Sequence, residues 1–228
     1  MKRVLESGPP MKTIYALWGV RELLTADFAQ RLTGAVAAQA NVSDAAVETA
    51  MLRITTFEAP VQAVVSVWWD APPRPEAAER ALGAVAERVA GWHVEEVTPI
   101  PPPVTAVLER APGLSNIAFL RKPDELPHAE WLDRWRTHHT AIAIETQATF
   151  GYVQNLVTAP ATAGAPDIAG IVEELFPIEA LTDPHAFYGS GGDGAELARR
   201  VDRLMTSVAT FGGDRNLDVV PTSRYRLR

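Results

Sequence analysis

The stretch "TPIPPPV", residues 98–104, divides this chain, because four of five consecutive positions within it are proline. Proline has no amide donor and is therefore excluded from helix interiors and from central strands. The stretch predicts a boundary between two halves of similar length, residues 11–100 and 104–228. Residues 1–10 read as a leader without the apolar segment of a signal peptide.

The half after the boundary predicts the element order β-α-β-β-α-β. Alternating apolar segments favour strands, and apolar residues at helical spacing favour helices. A glycine-rich break, "GSGGDG" (189–194), precedes the last helix. The predicted strands cover 114–122, 149–157, 167–178 and 216–227, and the predicted helices cover 128–148 and 195–209.

The half before the boundary predicts the same order of elements. Thr25 or Asp27 is placed to cap its first helix, and Pro75 suits the first turn of its second helix. The predicted strands cover 12–19, 47–57, 60–70 and 92–100, and the predicted helices cover 25–40 and 75–90.

This repeated order is that of a ferredoxin-like unit, with helices on one face of an antiparallel sheet. Strands such as "QAVVSVWW" (62–69) are too apolar to leave the other face in water. We therefore expect the two sheets to pack together with the helices outside, which gives an α+β fold, a barrel of two ferredoxin-like repeats. The space left between the sheets is the predicted pocket.

The composition excludes several classes of function. The chain has 228 residues, 47% of them hydrophobic, and a formal charge of −7 without any Lys/Arg-rich run. Nucleic acid and anionic membranes are therefore not expected as partners, and no apolar segment is long enough to span a bilayer. The absence of cysteine excludes disulfides and thiolate chemistry, and it fits a reducing cytoplasm.

The predicted helix 128–148 carries two adjacent histidines. At helical spacing, His139 falls on an inward stripe with Leu132, Trp135, Ile142 and Thr146. His138 is rotated by about 100° onto a neighbouring stripe that includes Trp131. His139 is therefore the better candidate for a pocket, and His138 stays open as an alternative.

The second half resembles the EthD family, within the broader group of dimeric α+β barrels. The resemblance covers roughly residues 113–227. The family pattern has an aromatic residue, a tryptophan, a histidine four residues later, and a strand that begins Gly-Tyr-x-Gln. The first half lacks this motif and looks like a degenerate copy. The matching positions here are Trp131, Trp135, His139, Gly151, Tyr152 and Gln154.

The resemblance implies the fold more firmly than the activity. Some members are accessory proteins in ether degradation, and related barrels are cofactor-free cyclases, dehydratases or decarboxylases of polyketide-like aromatic compounds. Others bind haem or act as small monooxygenases. Family members usually pair two chains into the barrel. A tandem chain would close the barrel internally, which leaves a homodimer possible but not required.

These patterns predict His139 as a general acid or base, because imidazole exchanges its proton near neutral pH. Tyr152 would orient a carbonyl or phenol, and Gln154 would bond a substrate oxygen. Asn155 lies on the opposite strand face, and either face can be the one toward the pocket. The predicted binding residues are Trp131, Trp135, His138 and Asn155.

The main hypothesis is a cofactor-independent lyase or cyclase that acts on a small, largely apolar carbonyl compound. No His-Glu-x-x-His pair is present, no other motif indicates a metal or cofactor, and adjacent Glu173 and Glu174 read as surface residues. One alternative is a binding protein for an apolar metabolite, or for haem through His139 or His138. Another is a purely structural role for the Trp/His stripe.

Overall fold

Eight antiparallel strands close into a barrel. The computed structural model describes residues 11–70 and 75–228, so the predicted leader lies outside the described residues. The strands are β1 Met11–Trp18, β2 Ala35–Val42, β3 Ala63–Trp69, β4 Arg88–Ile100, β5 Leu114–Leu120, β6 Gly151–Pro160, β7 Gly170–Phe176 and β8 Asp218–Arg226.

Each half of the chain contributes one four-stranded sheet with the ferredoxin-like strand order. The first sheet runs β4-β1-β3-β2 and the second runs β6-β7-β5-β8. The two sheets join edge to edge, β2 to β8 and β4 to β6, so that every strand is paired on both sides. The predicted α+β barrel of two ferredoxin-like repeats is confirmed.

The helices lie outside the barrel. The helices α1 and α2 cover the first sheet with one apolar cluster, and the helices of the second half cover the second sheet with another. No helix among the described residues is long and apolar enough to cross a membrane. The helices are α1 Ala26–Arg31, α2 Pro75–Gly83, α3 His128–Leu132, α4 Thr140–Thr146, α5 Pro184–Tyr188 and α6 Gly194–Thr210, with π-helical turns at Asp133–His139.

The first half departs from its predicted elements. Thr25 does cap α1, accepting a hydrogen bond from the Phe28 amide, but α1 ends at Arg31 and not at residue 40. Residues 35–42 form strand β2 because their small alanines fit between the barrel interior and the helix layer, and pairing with β3 and β8 overrides helix propensity. Residues 47–57 are not a strand and form only a single bridge, at Ile54.

The last strand of the first half ends at the proline-rich boundary, at Ile100, as the prediction of a strand over 92–100 expects. Strand β4 continues through Pro99 to Ile100. Beyond Val94 this strand pairs only with β6, and its register shifts between Val97 and Ile100. Pro99 therefore lies at an irregularity of the β4–β6 ladder, where it has no paired residue and its missing amide is tolerated.

Side chains fill the barrel interior. One end holds an apolar cluster that includes Trp18, Trp92 and Phe119. The other end holds a buried polar network in which Glu173 lies 3.2 Å from Arg224 Nε and accepts hydrogen bonds from Gln39. The prediction of a pocket between the two sheets is therefore wrong, because the cavity beside His139 lies outside the barrel.

Candidate functional site

A cavity of about 350 Å³ lies between the outer face of the second sheet and the helices that cover it. Side chains of β5, β6, β7 and β8 form its floor, and the helix that carries His139 and helix α6 form its walls. Most of the lining is apolar, with a few polar groups, as is usual for small-molecule sites. The lining residues used below are Leu52, Ile54, Thr56, Asn116, Trp135, His139, Tyr152, Glu174, Phe211 and Asp214.

The π-helical turns at Asp133–His139 place His139 against the cavity. A π turn has more residues than an α turn, so its side chains point in other directions than α-helical spacing predicts, and such turns are frequent at functional sites. Trp131, Trp135 and His139 are accordingly all buried, whereas Leu132 and Ile142 of the predicted stripe are only half-buried.

His138 points into solvent, so its predicted binding position is not supported by the geometry. Its side chain is 67% exposed, and its Nε2 lies 3.2 Å from Asp133 on the same helix. The question of which histidine faces the cavity is thereby settled in favour of His139, because the two ring directions diverge around the helix.

His139 is held as a neutral imidazole. Its Nδ1 lies 3.0 Å from Ser207 Oγ on α6, and its ring packs on Phe211 with 4.8 Å between centroids. Burial lowers the pKa of His139 to about 4. The ring is therefore uncharged near neutral pH, and its hydrogen bond with Ser207 determines which nitrogen carries the proton.

Glu174 lies on the cavity floor between two polar neighbours. It stands opposite Asn116 on β5 and opposite Tyr152 on β6. Burial raises the pKa of the Glu174 carboxyl to about 7. Burial, and then the charge of Glu174, hold the pKa of Tyr152 well above its usual range. The floor thus pairs a carboxyl that exchanges its proton near neutral pH with a phenol that stays a donor.

Asn116 adds an unsatisfied acceptor to this floor. The residue is 3% exposed, and its Oδ1 is buried without a hydrogen-bond partner among the described residues. A buried acceptor of this kind costs free energy unless a ligand or water donates to it. The cavity therefore favours a ligand with a hydroxyl or another donor near Asn116.

Sequence reasoning assigned Glu173 and Glu174 to the surface, and the structure corrects both. Adjacent residues of a strand point to opposite faces, and β7 is covered on both faces. Glu173 consequently faces the barrel interior, where it is 5% exposed, and Glu174 faces the cavity. The available signal was two carboxylates inside the otherwise apolar segment "GIVEELF" (170–176).

The other predicted site residues divide between the cavity and its surroundings. Trp135 and Tyr152 line the cavity, whereas Trp131 is buried behind Trp135 with 4.9 Å between ring centroids. Gln154 donates to Thr140 Oγ1 at 2.8 Å and serves to hold the helix on the sheet. Asn155 faces the barrel interior and accepts from Lys12 Nζ at 2.8 Å, so it does not reach the cavity.

A segment of the first half closes one side of the cavity. We call residues 52–57 the strap; its residues Leu52, Ile54 and Thr56 line the cavity. Asp218 at the start of β8 fixes the strap, accepting hydrogen bonds from the Thr56 amide at 2.6 Å and the Thr56 hydroxyl at 2.7 Å. The site is therefore built from both halves of the chain.

The replacement Gly170→Val is expected to lower the free energy of unfolding by about 1–3 kcal/mol, the usual cost of overpacking. A Cβ at position 170 would lie 2.7 Å from the buried Trp135 ring, which cannot move away without disturbing the cavity wall. Urea unfolding measures the change. Gly83→Val is the matched control, because a Cβ there meets no atom within 4 Å. Equal stability of the two variants would contradict the prediction.

Comparison with known proteins gives matches to solved structures alone. No protein-family model and no curated protein matches the chain. The chain is similar to a structure described as an anthrone oxidase-like protein, with a TM-score of 0.53 and 8% identity over 96% of this chain and 94% of that one. It is also similar to a variant of chlorite dismutase from Candidatus Nitrospira defluvii, with a TM-score of 0.50 and 10% identity over 98% and 94%.

At such low identities these likenesses show the fold alone, and they agree with an α+β barrel of ferredoxin-like repeats. The resemblance to the EthD family stays a prediction.

Proposed function

We propose that this chain is a cofactor-independent enzyme of the lyase or cyclase type, which moves a proton on a small, largely apolar carbonyl compound. The observation that carries the proposal is the pair of Glu174 and Tyr152, side by side on the floor of an apolar cavity. A carboxyl whose pKa lies near the working pH is well suited to accept and return a proton.

Tyr152 and Glu174 have separate roles in the proposed reaction. The Tyr152 hydroxyl donates a hydrogen bond to the carbonyl oxygen, and the Glu174 carboxylate removes a proton from the adjacent carbon. The negative charge that develops on the oxygen is stabilised by the tyrosine donor in a largely apolar site. Glu174 then returns the proton to carbon or to a leaving group, and the electrons reform the carbonyl.

His139 has a supporting role in this scheme. With its pKa near 4 it is a weak base, so we assign the abstraction to Glu174 and not to His139. As a neutral ring fixed by Ser207, it can hydrogen-bond a substrate oxygen at the cavity wall. Trp135 and Phe211 supply the apolar walls against which an aromatic or aliphatic body would pack.

The resemblance to the EthD family supports the same substrate class, since related barrels act on polyketide-like aromatic compounds. One similar structure is named for anthrone oxidation, and an anthrone is a largely apolar ketone with an acidic C–H. A homodimer is compatible with the proposal but not needed for it, because both halves of the barrel come from one chain.

The haem alternative does not fit the described cavity. The neutral imidazole of His139 could ligate iron, but the charged side chains among the lining residues are Glu174 and Asp214, both acidic. The described lining of the cavity contains no lysine or arginine to pair with the propionates of haem. Binding of an uncharged apolar metabolite without catalysis is the alternative that the cavity does accommodate.

Proton exchange in deuterated water tests the proposal directly. A panel of small aromatic and aliphatic ketones is incubated with the protein, and NMR follows the loss of the proton next to the carbonyl. We expect at least one ketone to exchange faster with the protein than in buffer. Saturable binding without faster exchange of any ketone would overturn the enzyme proposal and favour the binding alternative.

A further inference from the structure

A second recess, separate from the His139 cavity, lies at the polar end of the barrel. It is a groove of about 410 Å³ between the ends of β2 and β8 and the proline-rich stretch, and it shares no lining residue with the cavity. Arg224, Arg226 and Arg228 occupy alternate positions along β8 and its continuation, so they share one face of the strand. All three line the groove.

Two of these arginines carry charge that no aspartate or glutamate side chain balances within the described part of the chain. Arg224 is paired, because its Nε lies 3.2 Å from Glu173. Among the described residues, Arg226 Nε donates to an oxygen of Arg228, the last residue of the sequence, at 3.2 Å, and Arg228 Nη1 donates to the Leu32 carbonyl at 3.4 Å. The Nη1 and Nη2 atoms of Arg226 have no hydrogen-bond partner among these residues. No acidic residue is among the lining residues, although the chain has a net charge of −7.

The groove also offers apolar surface beside these cations. Trp68 lines it, with the ammonium of Lys12 4.5 Å from its ring centroid on the barrel side. Val36 and Val104 are 46% and 88% exposed at its edges. Thr105 Oγ1 is buried there without a hydrogen-bond partner among the described residues. A ligand that used this groove would need an anionic group and an apolar body, side by side.

We propose that this groove binds a small organic anion, a carboxylate on an aromatic or branched aliphatic body. The carboxylate would receive paired hydrogen bonds from the Arg226 guanidinium, whose planar fork matches a carboxylate. The body would pack on Trp68 and Val36, and Thr105 would donate to a second ligand oxygen. The site is independent of the chemistry proposed for the His139 cavity.

Calorimetric titration of the full chain with 2-naphthoate tests the proposal. We expect saturable binding that Arg226→Gln weakens by about tenfold or more, the usual effect of removing one charge-assisted pair. Arg21→Gln is the matched control. The side chain of this arginine is 74% exposed, and it follows the C-terminal end of β1, whereas the groove lies near the N-terminal end of β1, where Lys12 pairs with Trp68. No binding to the wild type, or an equal loss in both variants, would overturn the proposal.

Two further probes separate the parts of the ligand. The neutral analogue 2-naphthalenemethanol should bind much more weakly than 2-naphthoate, and acetate should too. Equal binding of the alcohol would show that the arginines do not recognise the charge. Equal binding of acetate would show that Trp68 and the valines contribute nothing. Because Arg226 is exposed, its replacement should leave the fold intact, which circular dichroism checks.

Discussion

Replacing Glu174 by glutamine is expected to slow proton exchange next to the carbonyl by about 10²–10⁴-fold, the usual contribution of a positioned general base. Glutamine keeps the size and the hydrogen-bonding reach of the side chain, but it cannot take up a proton. The same NMR assay in deuterated water measures the loss. In the wild type the rate should rise with pH through about 7, the pKa of the buried carboxyl.

The control for this experiment is Glu179→Gln, which removes an exposed carboxylate in the same half of the chain. That variant should exchange ketones at the wild-type rate. If Glu174→Gln also keeps the full rate, Glu174 is not the base. His139 would then be the next candidate, and the pH dependence should move toward its pKa of about 4.

The same glutamine variant should be more stable than the wild type at neutral and higher pH. The carboxyl has a pKa of about 7 in the folded protein against an ordinary value of 4.5. Between these values the unfolded chain has lost the proton and the folded chain has not, so wild-type stability falls as pH rises. Above about pH 7 the gain should approach about 3 kcal/mol, and below about pH 4 it should vanish.

Asp218→Ala is expected to lower the free energy of unfolding by about 3–5 kcal/mol, as when one partner of a buried ion pair is removed. Asp218 is 1% exposed and accepts hydrogen bonds from the strap. Its carboxylate also receives the guanidinium of Arg121 at 2.7 Å. Alanine would leave that cation and the amides of Thr56 and Phe57 without their partner, and urea unfolding measures the cost.

The effect of this variant should depend on pH in a defined direction. Burial alone would raise the pKa of Asp218, but hydrogen bonds from Thr56 and Arg121 outweigh it and hold the pKa below its usual value of 3.8. Its contribution is therefore present above about pH 4 and is lost as pH falls through the folded-state pKa. Asp193→Ala, which removes the cap of α6, should cost only about 1 kcal/mol. An equal cost for both variants would contradict the role of the strap anchor.

The second half was predictable because its patterns and its tertiary contacts agree. The helix around His139 has apolar residues at helical spacing, and residues 151–157 fall within strand β6, which begins at Gly151. The first half was harder. The alanine-rich residues 35–40 favour a helix by intrinsic propensity, and only pairing on both edges of β2 makes them a strand.

The site was predictable in part. The Trp/His motif indicated His139 and Tyr152, which the structure brings to one cavity. Helical spacing favoured His139 over His138 but left His138 open, because an α-helical stripe does not anticipate the wider π turn. The prediction that Glu174 is a surface residue was wrong because a helix layer covers its face of β7. The strand pattern alone does not show which face of a strand a distant helix will cover.

The strap has a consequence for any half-length fragment of this protein. Residues 104–228 alone would still carry His139, Tyr152 and Glu174, but the roof formed by Leu52 and Ile54 would be missing. Water would then enter and the local dielectric constant would rise. The pKa of the Glu174 carboxyl would therefore fall toward its ordinary value. The raised pKa of a group in the second repeat thus depends on burial by the first repeat, even though the first repeat contributes no titratable group to the cavity lining.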